Sequence, residues 1–474
     1  MRTQLKGLLS DSVIYGLSGI ISSFISIFLI PLYTNVFEPA DYGIISILTT
    51  TSVVVHILLI FSLDNSAAVW FWDKTEISER KKTFNSWIGF IGFAGLVFAI
   101  LLALLSRPLS VLFFGKTDYS VLFLIMAANF LFVGFQKVVN IWCRMLRMPV
   151  RAMFFSIFVM LITLGFNVLF ILILKIGVKG VFFSQLIASF LGVFLMVILF
   201  KSWIQFSSFS LSRLKEMLKF SLPLVPANLL YWVMNMASAY FLIAFVKDNT
   251  EVGLYQLGGN VANILNLVTW AFFQAWSAFA LSVSKQENAK RIYSFVFELY
   301  CIVGFFVAFS LMLGSKDILM IFTHTKYLGA ATVIGLLAFN VILMGVPGIM
   351  SIANNLTKKN TSFAVAIALG SITTVILFLF LIPRYGKEGA ALAMIGGNLV
   401  VPIYLGYKTQ KFYYIPYNFK RIIGVVAMQF ILFIIAGKIF ESLFGHIISV
   451  IVLGTLTAAL YYVLARKAGY KIKF

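Results

Sequence analysis

Two short segments, Gly177-Val178-Lys179-Gly180 and Gly386-Lys387-Glu388-Gly389, lie 209 positions apart and share a Gly-x-x-Gly spacing. A second pair, Ala40-Asp41-Tyr42-Gly43 and Thr250-Glu251-Val252-Gly253, has nearly the same separation, because its closing glycines are 210 positions apart. Each segment precedes a long apolar run. The second half of the chain therefore repeats the first. Tandem repeats of membrane helices are typical of transporters that work by alternating access.

A third pair of segments supports the same repeat near the start of the chain. Leu5-Lys6 and Ser12 precede the first apolar run, and Leu214-Lys215 and Ser221 precede another run 209 positions later. Few side chains match between the halves, so the repeat is inferred from one offset that three landmarks share. We expect two lobes that face each other across a central site.

The composition identifies an integral membrane protein. The chain has 474 residues, of which 61% are hydrophobic and only 11% are charged, and its mean hydropathy is +1.00. A soluble protein of this length would carry about a quarter charged residues. The apolar runs are close to the roughly 20 residues that a helix needs to cross a bilayer. The predicted fold class is an all-α polytopic membrane protein.

The hydropathy pattern predicts about fourteen transmembrane helices. They span residues 12–35, 42–64, 84–105, 119–141, 152–174, 180–200, 220–246, 254–280, 292–313, 328–350, 363–382, 389–407, 421–440 and 443–465. Residues 1–200 are expected to form an N-terminal lobe of spans 1–6, and residues 220–410 a C-terminal lobe of spans 7–12. Residues 201–219 form a cytoplasmic amphipathic linker. Residues 411–474 hold two extra helices, spans 13 and 14, and a cytoplasmic tail.

The net charge of +21 indicates membrane topology rather than a nucleic acid partner. With the N-terminus in the cytoplasm, the inner segments hold 27 of the 37 lysines and arginines. The positive-inside rule then places both termini in the cytoplasm. Basic residues at the inner face also attract anionic lipids, which accounts for the charge without any nucleic acid.

Four basic residues near the end of span 4 are candidates for one cationic stripe. They are Lys137, Arg144, Arg147 and Arg151. On a continuous helix, their spacing places them within about 60° of one another. Such a wall, with Asn140 beside it, would suit a phosphate or pyrophosphate that enters from the cytoplasm. The alternative is a positive-inside anchor with snorkelling side chains. Pro149 is expected to break this helix before Arg151.

Two acids lie within or at the edge of predicted spans, where an ionisable group costs at least about 2.5–3.5 kcal/mol. Asp64 closes span 2, and Glu298 lies two turns into span 9. Either acid could bind the coupling ion, H+ or Na+, of a gradient-driven transporter. The alternatives are a helix-end cap for Asp64 and an ion pair with Arg291, seven residues earlier, for Glu298.

Amide and aromatic side chains could bind a sugar. Asn260 and Asn263 lie on one side of span 8 with Asn266 and Gln274, and Tyr231 in span 7 offers a stacking face. Amides could hydrogen-bond to sugar hydroxyls, although in membranes they more commonly join helices. An aromatic ring at the edge of a span also commonly belongs to the interfacial belt.

The sequence lacks the motifs of metal sites and of ATP-driven pumps. His56, His324 and His446 are far apart and have no metal-ligand spacing. The phosphate loop Gly-x-x-x-x-Gly-Lys-Ser/Thr does not occur. We therefore expect no cofactor, and energy from an ion gradient, the substrate gradient or a partner. The two cysteines, Cys143 and Cys301, imply no disulfide framework.

The repeat turns belong to a wider set of motifs. The set comprises Ser12-Val13-Ile14-Tyr15-Gly16, Ile30-Pro31-Leu32-Tyr33-Thr34, Ala40-Asp41-Tyr42-Gly43 and the Gly-x-x-Gly turns before spans 6 and 12. This set, with its arrangement of six, six and two helices, resembles the polysaccharide transporter family over nearly the whole chain. That family includes the O-antigen flippase Wzx and belongs to the multidrug/oligosaccharidyl-lipid/polysaccharide exporter superfamily.

The resemblance implies a V-shaped pair of six-helix lobes that flips an undecaprenyl-pyrophosphate-linked oligosaccharide outward across the bacterial inner membrane. Members of the family use cationic residues in the cavity, which agrees with our interpretation of Lys137 and Arg144. A polysaccharide polymerase and chain-length machinery are the expected protein partners. The chain departs from many relatives after span 2, where Trp70-Phe71-Trp72 stands in place of an arginine.

Three other functions fit parts of the pattern. A multidrug-type antiporter shares the superfamily fold, although a cationic cavity with few acids is unsuited to cationic drugs. A peptidoglycan-precursor flippase is a close variant that also has fourteen spans. A membrane polymerase or ligase would need a large outer loop for its active site, and the outer loops predicted here are short. We therefore predict a transporter and no enzymatic activity.

Overall fold

The computed structural model describes residues 29–73, 76–357, 359, 361–440 and 442–467. Within these residues the regular elements are helices, and no strand occurs. Nine of the described helical segments are long and apolar enough to cross a membrane, or ten if one bent pair counts as a span. The chain is therefore an all-α, multi-pass membrane protein, as predicted. The count of fourteen is not confirmed, because span 1 lies largely before residue 29 and several spans are broken into shorter helices.

The chain forms two compact units that divide after Gly253. In the N-terminal unit, residues 29–36 are helical. The helices that follow are α1 (Pro39–Ile60), α2 (Leu63–Asp73), α3 (Ile77–Phe114), α4 (Ser120–Met145), α5 (Pro149–Asn167, extended by a π-helix over Val168–Ile173), α6 (Val178–Phe200), α7 (Leu211–Ser221), α8 (Leu224–Met236) and α9 (Ser238–Val246). Prolines begin α1 and α5, where the missing N–H would have no intrahelical acceptor.

The division between the units falls inside α10, which covers Asn249–Ala262. The C-terminal unit continues with α11 (Leu265–Ser282), α12 (Ala289–Leu313), α13 (Ser315–Phe322), a 3-10 helix (Thr325–Ala330), α14 (Ala331–Met350), α15 (Ile352–Thr357), α16 (Thr361–Thr409), α17 (Phe419–Ile439) and α18 (Leu443–Lys467). Predicted spans 11 and 12 thus form one helical stretch, α16, which is interrupted at Gly386. Predicted spans 2, 7 and 8 are each broken into two helices.

The internal repeat is visible in the backbone of the two Gly-x-x-Gly turns. Gly177, just before α6, has φ 68° and ψ −148°. Gly386, at the interruption of α16, has φ 52° and ψ −128°. Because a Cβ clashes with the backbone in this conformation, both positions favour glycine strongly. The two segments that match in sequence therefore make similar turns.

The second pair of repeat landmarks meets in space within the N-terminal unit. Gly43 on α1 faces the backbone of Asn249, and Gly253 on α10 faces the backbone of Pro39. A Cβ added to either glycine would overlap the carbonyl oxygen that it faces. The two helices can therefore approach this closely only with glycine at the crossing. The contact is reciprocal, because each glycine faces the residue four positions before the other.

The connector between α6 and α7 is fastened to the start of α3 by hydrogen bonds. Asn85 donates a hydrogen bond to the carbonyl of Trp203 (2.9 Å) and accepts one from the backbone N–H of Gln205 (2.8 Å). The Ser86 hydroxyl donates to the carbonyl of Ser210 and accepts from its N–H, both at 3.0 Å. These bonds satisfy backbone groups that no helix pairs in this part of the chain.

Helix α7 occupies much of the predicted linker, residues 201–219, and is amphipathic. Leu214 and Met217 are buried, whereas Arg213 forms an ion pair of 2.7 Å with Glu79 on α3. Helices α8 and α9, which follow, pack against α1. Residues 220–246, predicted as the first span of the C-terminal lobe, thus lie within the N-terminal compact unit.

Helices α17 and α18, the two helices with no counterpart in the first half, are joined to the C-terminal unit by polar contacts. Arg421 at the start of α17 forms an ion pair with Glu298 on α12. His446 at the start of α18 places Nδ1 2.6 Å from Oδ2 of Asp317 on α13. Both helices are therefore fixed to helices of the repeated part of the chain.

Candidate functional site

A helix break inside the first described membrane segment positions the candidate site. Phe61 and Ser62 separate α1 from α2, and both have left-handed backbone conformations, with φ of 52° and 54°. Asp64 lies in the first turn of α2. A carboxylate there is stabilised by the positive end of the helix dipole. Interrupted membrane helices supply such termini to ion and substrate sites in transporters.

Lys137 on α4 forms an ion pair with Asp64. The distance from Nζ to Oδ2 is 3.5 Å, and the side chains are 41% and 19% exposed, respectively. Asn65 adds a long hydrogen bond from Nδ2 to the other carboxylate oxygen, at 3.3 Å. Because both charged groups remain accessible, their attraction is modest, and another anion or a proton can replace either partner.

His56 on α1 is the third ionisable member of this group. It interacts electrostatically with both Lys137 and Asp64. Its Nε2 is buried and has no hydrogen-bond partner among the described residues. His56 was not predicted as a site residue, because the spacing of the histidines excluded only a metal site. The available signal was its position in the same apolar segment as Asp64, since polar residues in membrane spans are candidates for function.

A second helix break meets the first one. Helices α7 and α8 are bent by 48° at Leu222-Pro223. Ser221, at the end of α7, places Oγ 3.0 Å from the carbonyl oxygen of Ser62 and 3.1 Å from Oγ of Ser66. Asn228 on α8 donates a hydrogen bond of 2.9 Å to the Ser62 hydroxyl. These side chains satisfy groups freed by the α1–α2 break and hold it in place.

The predicted cationic stripe does not form as one continuous row. Helix α4 ends at Met145, and Arg147 stands in the following turn with φ 54°. Arg151 belongs to α5, which begins at Pro149. The helix thus ends before Arg147, earlier than the spacing argument assumed, and the break that Pro149 was expected to make before Arg151 is present. Lys137 and Arg144 do share α4, and Arg144 is exposed.

Two other predicted ligands lie on helices of the N-terminal unit. Asn140 on α4 accepts a hydrogen bond of 3.1 Å from Ser156 and so joins α4 to α5. Tyr231 on α8 is 46% exposed. Asn140 therefore has a role in helix packing, whereas the ring of Tyr231 is available for stacking.

The predicted amides of the C-terminal unit bond to neighbours along the chain. The Asn260 side chain accepts a hydrogen bond from Gln256 at 3.1 Å. The Asn263 side chain accepts one from Asn266 at 2.8 Å, at the junction of α10 and α11. The side chain of Gln274 lies outside the described residues. Asn260 and Asn263 therefore each bond to at least one neighbour along the chain.

Glu298 has a different partner from the predicted one. Its side chain is 1% exposed, and Oε1 lies 3.2 Å from Nη1 of Arg421 on α17. The predicted pair with Arg291 is therefore wrong. Seven residues along a helix correspond to a rise of about 10 Å, whereas α17 packs directly against α12.

The structure thus brings together the accessible ion pair of Asp64 and Lys137 and the imidazole of His56, which interacts with both. This group offers an amine that can bind an anion and two side chains that can exchange a proton. Within the described ranges, no group of three or more His, Cys, Asp or Glu side chains could hold a metal ion. Glu298, by contrast, is buried in an ion pair of its own.

The sequence and the structure are both similar to those of known proteins. Residues 8–279 match a family model described as polysaccharide biosynthesis protein. No curated protein matches the sequence. Lipid II flippase MurJ, in an inward closed conformation, has a TM-score of 0.78 and 15% identity, covering 97% of this chain and 100% of MurJ.

Transporters of the MATE family are also similar in structure. A multidrug resistance MATE transporter of the MOP superfamily, in its inward-facing conformation, has a TM-score of 0.67 and 14% identity, over 87% of this chain and 95% of that one. A mutant of the Vibrio cholerae MATE transporter VcmN has a TM-score of 0.53 and 15% identity, over 86% and 96%. At these identities the likeness establishes the fold, which is that of MOP-type flippases and transporters. Because the family match covers more than half of the sequence, the chain belongs to the polysaccharide biosynthesis protein family.

Proposed function

We propose that this protein flips undecaprenyl-pyrophosphate-linked oligosaccharide repeat units from the inner to the outer leaflet of the bacterial inner membrane. The cargo would be a precursor of O-antigen, capsule or another surface polysaccharide. The observation that carries the proposal is the accessible Lys137–Asp64 pair beside a helix break, in a chain of this family and fold. The process makes and breaks no covalent bond, so we assign no enzymatic activity.

Lys137 is the proposed ligand of the pyrophosphate. Its side chain is 41% exposed, and its ammonium group lies 3.5 Å from the Asp64 carboxylate, at the long end for an ion pair. A pyrophosphate carries more negative charge than one carboxylate, so it can displace Asp64 from Lys137. Arg144, nearer the end of the same helix, and Arg147 in the next turn would supply further positive charge along the route.

Exchange at Lys137 would link binding of the pyrophosphate to the occupancy of Asp64 by a proton. When Asp64 takes up a proton, it no longer competes for Lys137, and the pyrophosphate can bind. When the lipid leaves, Lys137 returns to Asp64 and favours release of the proton. His56, which interacts with both charged groups, is the proposed relay for that proton. Na+ at Asp64 would serve the same purpose, since it also neutralises the carboxylate.

The sugar is assigned to uncharged side chains. The exposed ring of Tyr231 offers a stacking surface. The amides of Asn140, Asn260 and Asn263, which also bond to neighbouring side chains, are the proposed hydrogen-bond partners of the sugar hydroxyls. Alternating access of the two repeated halves would carry the glycan across. Both termini would be cytoplasmic, and a polymerase with its chain-length machinery would receive the product outside.

The decisive experiment is deletion of the gene in its own host. Surface polysaccharide is measured together with lipid-linked repeat units on each leaflet. Loss of surface polysaccharide with repeats trapped on the cytoplasmic leaflet is the expected result. Complementation with Lys137→Ala should fail, whereas Lys438→Ala, which removes a lysine from the end of α17, should restore export. Repeats that reach the outer face unpolymerised would instead identify a polymerase function.

A multidrug antiporter is the second candidate, because MATE transporters share the fold. Normal surface polysaccharide in the deletion strain, combined with greater sensitivity to toxic compounds, would establish that function. The basic character of Lys137 and Arg144 argues against cationic drugs, which would be repelled.

A further inference from the structure

Arg147 occupies a backbone position that ordinarily belongs to glycine. It follows the end of α4 with φ 54°. Its N–H donates to the carbonyl of Arg144 (3.1 Å), and the N–H of Met148 donates to the carbonyl of Cys143 (2.8 Å). These two bonds form a Schellman motif, which closes a helix through one left-handed residue. Pro149 then begins α5, as is common shortly after such a cap.

An arginine in this position requires an explanation. A left-handed conformation crowds the Cβ of any residue except glycine. The cap itself is made by backbone atoms alone, so it needs no side chain at position 147. Glycine would make the same cap with less strain, so the difference that arginine makes at this position is its guanidinium group.

The Arg147 side chain extends to an exposed tryptophan. Its guanidinium carbon lies 6.0 Å from the ring centroid of Trp72, and Trp72 is 56% exposed. The Trp72 ring packs edge-on against Phe71, which is buried and also carries Arg80 over its face at 4.2 Å. Within the described part of the chain, the Arg147 guanidinium donates no hydrogen bond. Its donors are therefore available to a ligand.

We propose that Arg147 and Trp72 form a docking site for the pyrophosphate group of the lipid-linked substrate, ahead of Lys137 on the route. This proposal rests on the function proposed above. The planar guanidinium matches two phosphate oxygens at once, which a lysine cannot do. Trp72 holds the guanidinium from one side and is suited to the headgroup level of a membrane. By charge distribution, this end of α4 is the cytoplasmic one, where the substrate is made.

The chain contains two matched controls for this site. Lys175 and Lys247 are also exposed basic residues in left-handed conformations, with φ of 51° and 56°. Neither is described in contact with an aromatic ring. Replacing any of the three by glycine removes one positive charge and relieves the same kind of backbone strain. Any difference in substrate binding between the three glycine variants therefore reports the role of the side chain that was removed.

The test measures binding, apart from transport. Full-length protein in phosphatidylcholine nanodiscs is titrated with undecaprenyl pyrophosphate, and thermal unfolding is recorded in parallel. For Arg147→Gly we expect a Kd raised about tenfold or more, with a Tm equal to or above that of the wild type. For Lys175→Gly and Lys247→Gly we expect an unchanged Kd. Arg147→Lys keeps the charge but loses the planar fork, and should bind with intermediate affinity.

Two results would overturn the docking site while leaving the proposed function intact. The first is a Kd for Arg147→Gly equal to that of the wild type, or a loss of affinity no larger than that of the Lys175→Gly and Lys247→Gly controls. The second is competition by phosphatidylglycerol at equal concentration, which would mean that the site holds bulk anionic lipid. Failure of the wild-type protein to bind the pyrophosphate at all, together with normal glycan export in the deletion strain, would refute both proposals.

Discussion

Asp64 and Glu298, the two acids predicted within membrane spans, have basic partners in different surroundings. In the N-terminal unit, Asp64 and Lys137 are 3.5 Å apart, with side chains 19% and 41% exposed. In the C-terminal unit, Glu298 and Arg421 are 3.2 Å apart, with side chains 1% and 19% exposed. The first pair lies beside a helix break, whereas the second joins α12 to α17.

This difference in burial indicates that the Asp64–Lys137 pair is part of a binding site and that the Glu298–Arg421 pair is a structural link. Opening a buried ion pair leaves a charge without water or partner, so Glu298 and Arg421 remain together. Opening an accessible pair costs little, because water can replace either partner. Lys137 can therefore exchange Asp64 for another anion. The predicted coupling role for an acid in the membrane thus favours Asp64 over Glu298.

The largest expected effect is that of Arg421→Ala. It should lower the free energy of unfolding by about 3–5 kcal/mol, because Glu298 would be left buried and unpaired. Thermal unfolding of the purified protein in detergent would measure this. The double variant Glu298→Met/Arg421→Leu should be near wild type in stability, since apolar side chains replace both charges. If Arg421→Ala has the Tm of the wild type, the ion pair is not a structural link, and Glu298 is again a candidate for binding the coupling ion.

Lys137→Ala should have a much smaller effect on stability and a complete effect on export. The exposed pair that it removes contributes at most about 1 kcal/mol. The same unfolding assay and the surface polysaccharide of complemented cells measure the two effects. Lys438→Ala serves again as the export control. Normal surface polysaccharide with Lys137→Ala would contradict the assignment of Lys137 as the pyrophosphate ligand.

Asp64→Asn should change stability by less still, within about 0.5 kcal/mol, and should uncouple transport from the gradient. The amide resembles a carboxyl that is permanently neutral, so Lys137 stays free of its partner. Flipping of a lipid-linked oligosaccharide in proteoliposomes, with imposed pH or sodium gradients, measures the coupling. If the variant responds to the pH and sodium gradients as the wild type does, Asp64 does not bind the coupling ion.

The smallest effect is expected for His56→Gln. Glutamine is neutral and close in size, so it should leave folding and export in place. It should shift the pH of half-maximal transport by about one unit or less, because the proposed proton relay that interacts with Asp64 is lost. The proteoliposome assay over a pH series measures this shift. An unchanged dependence of transport on pH would mean that Asp64 binds the proton and that His56 takes no part.

The turns of the fold could be predicted from the sequence because their cause is local. Gly177 and Gly386 require conformations that favour glycine, and their common offset revealed the repeat. The bend after Ser221 also has a local signal in Pro223. The break at Phe61 and Ser62 has none, since neither residue favours a left-handed conformation and no glycine or proline is present. Tertiary contacts from α7 and α8 stabilise it instead.

The partners of the ionisable residues depend on tertiary structure. Spacing along one helix placed Lys137 and Arg144 together correctly, but it also suggested Arg291 for Glu298. The actual partner, Arg421, is 123 positions away. Likewise, nothing local links Asp64 on α2 to Lys137 on α4. Asp64 and Lys137 could be named as candidates from the sequence, but their pairing required knowledge of which helices pack together, and His56 was missed.

The crossing of α1 and α10 bears on how such a chain could have originated. Gly43 faces Asn249 just as Gly253 faces Pro39, which is the pattern of an isologous dimer interface. A half-length ancestor with one such glycine could have made this contact with a second copy of itself. Gene duplication and fusion would then preserve the contact within a single polypeptide. After fusion each glycine is encoded separately, yet neither can acquire a Cβ unless the two helices move apart.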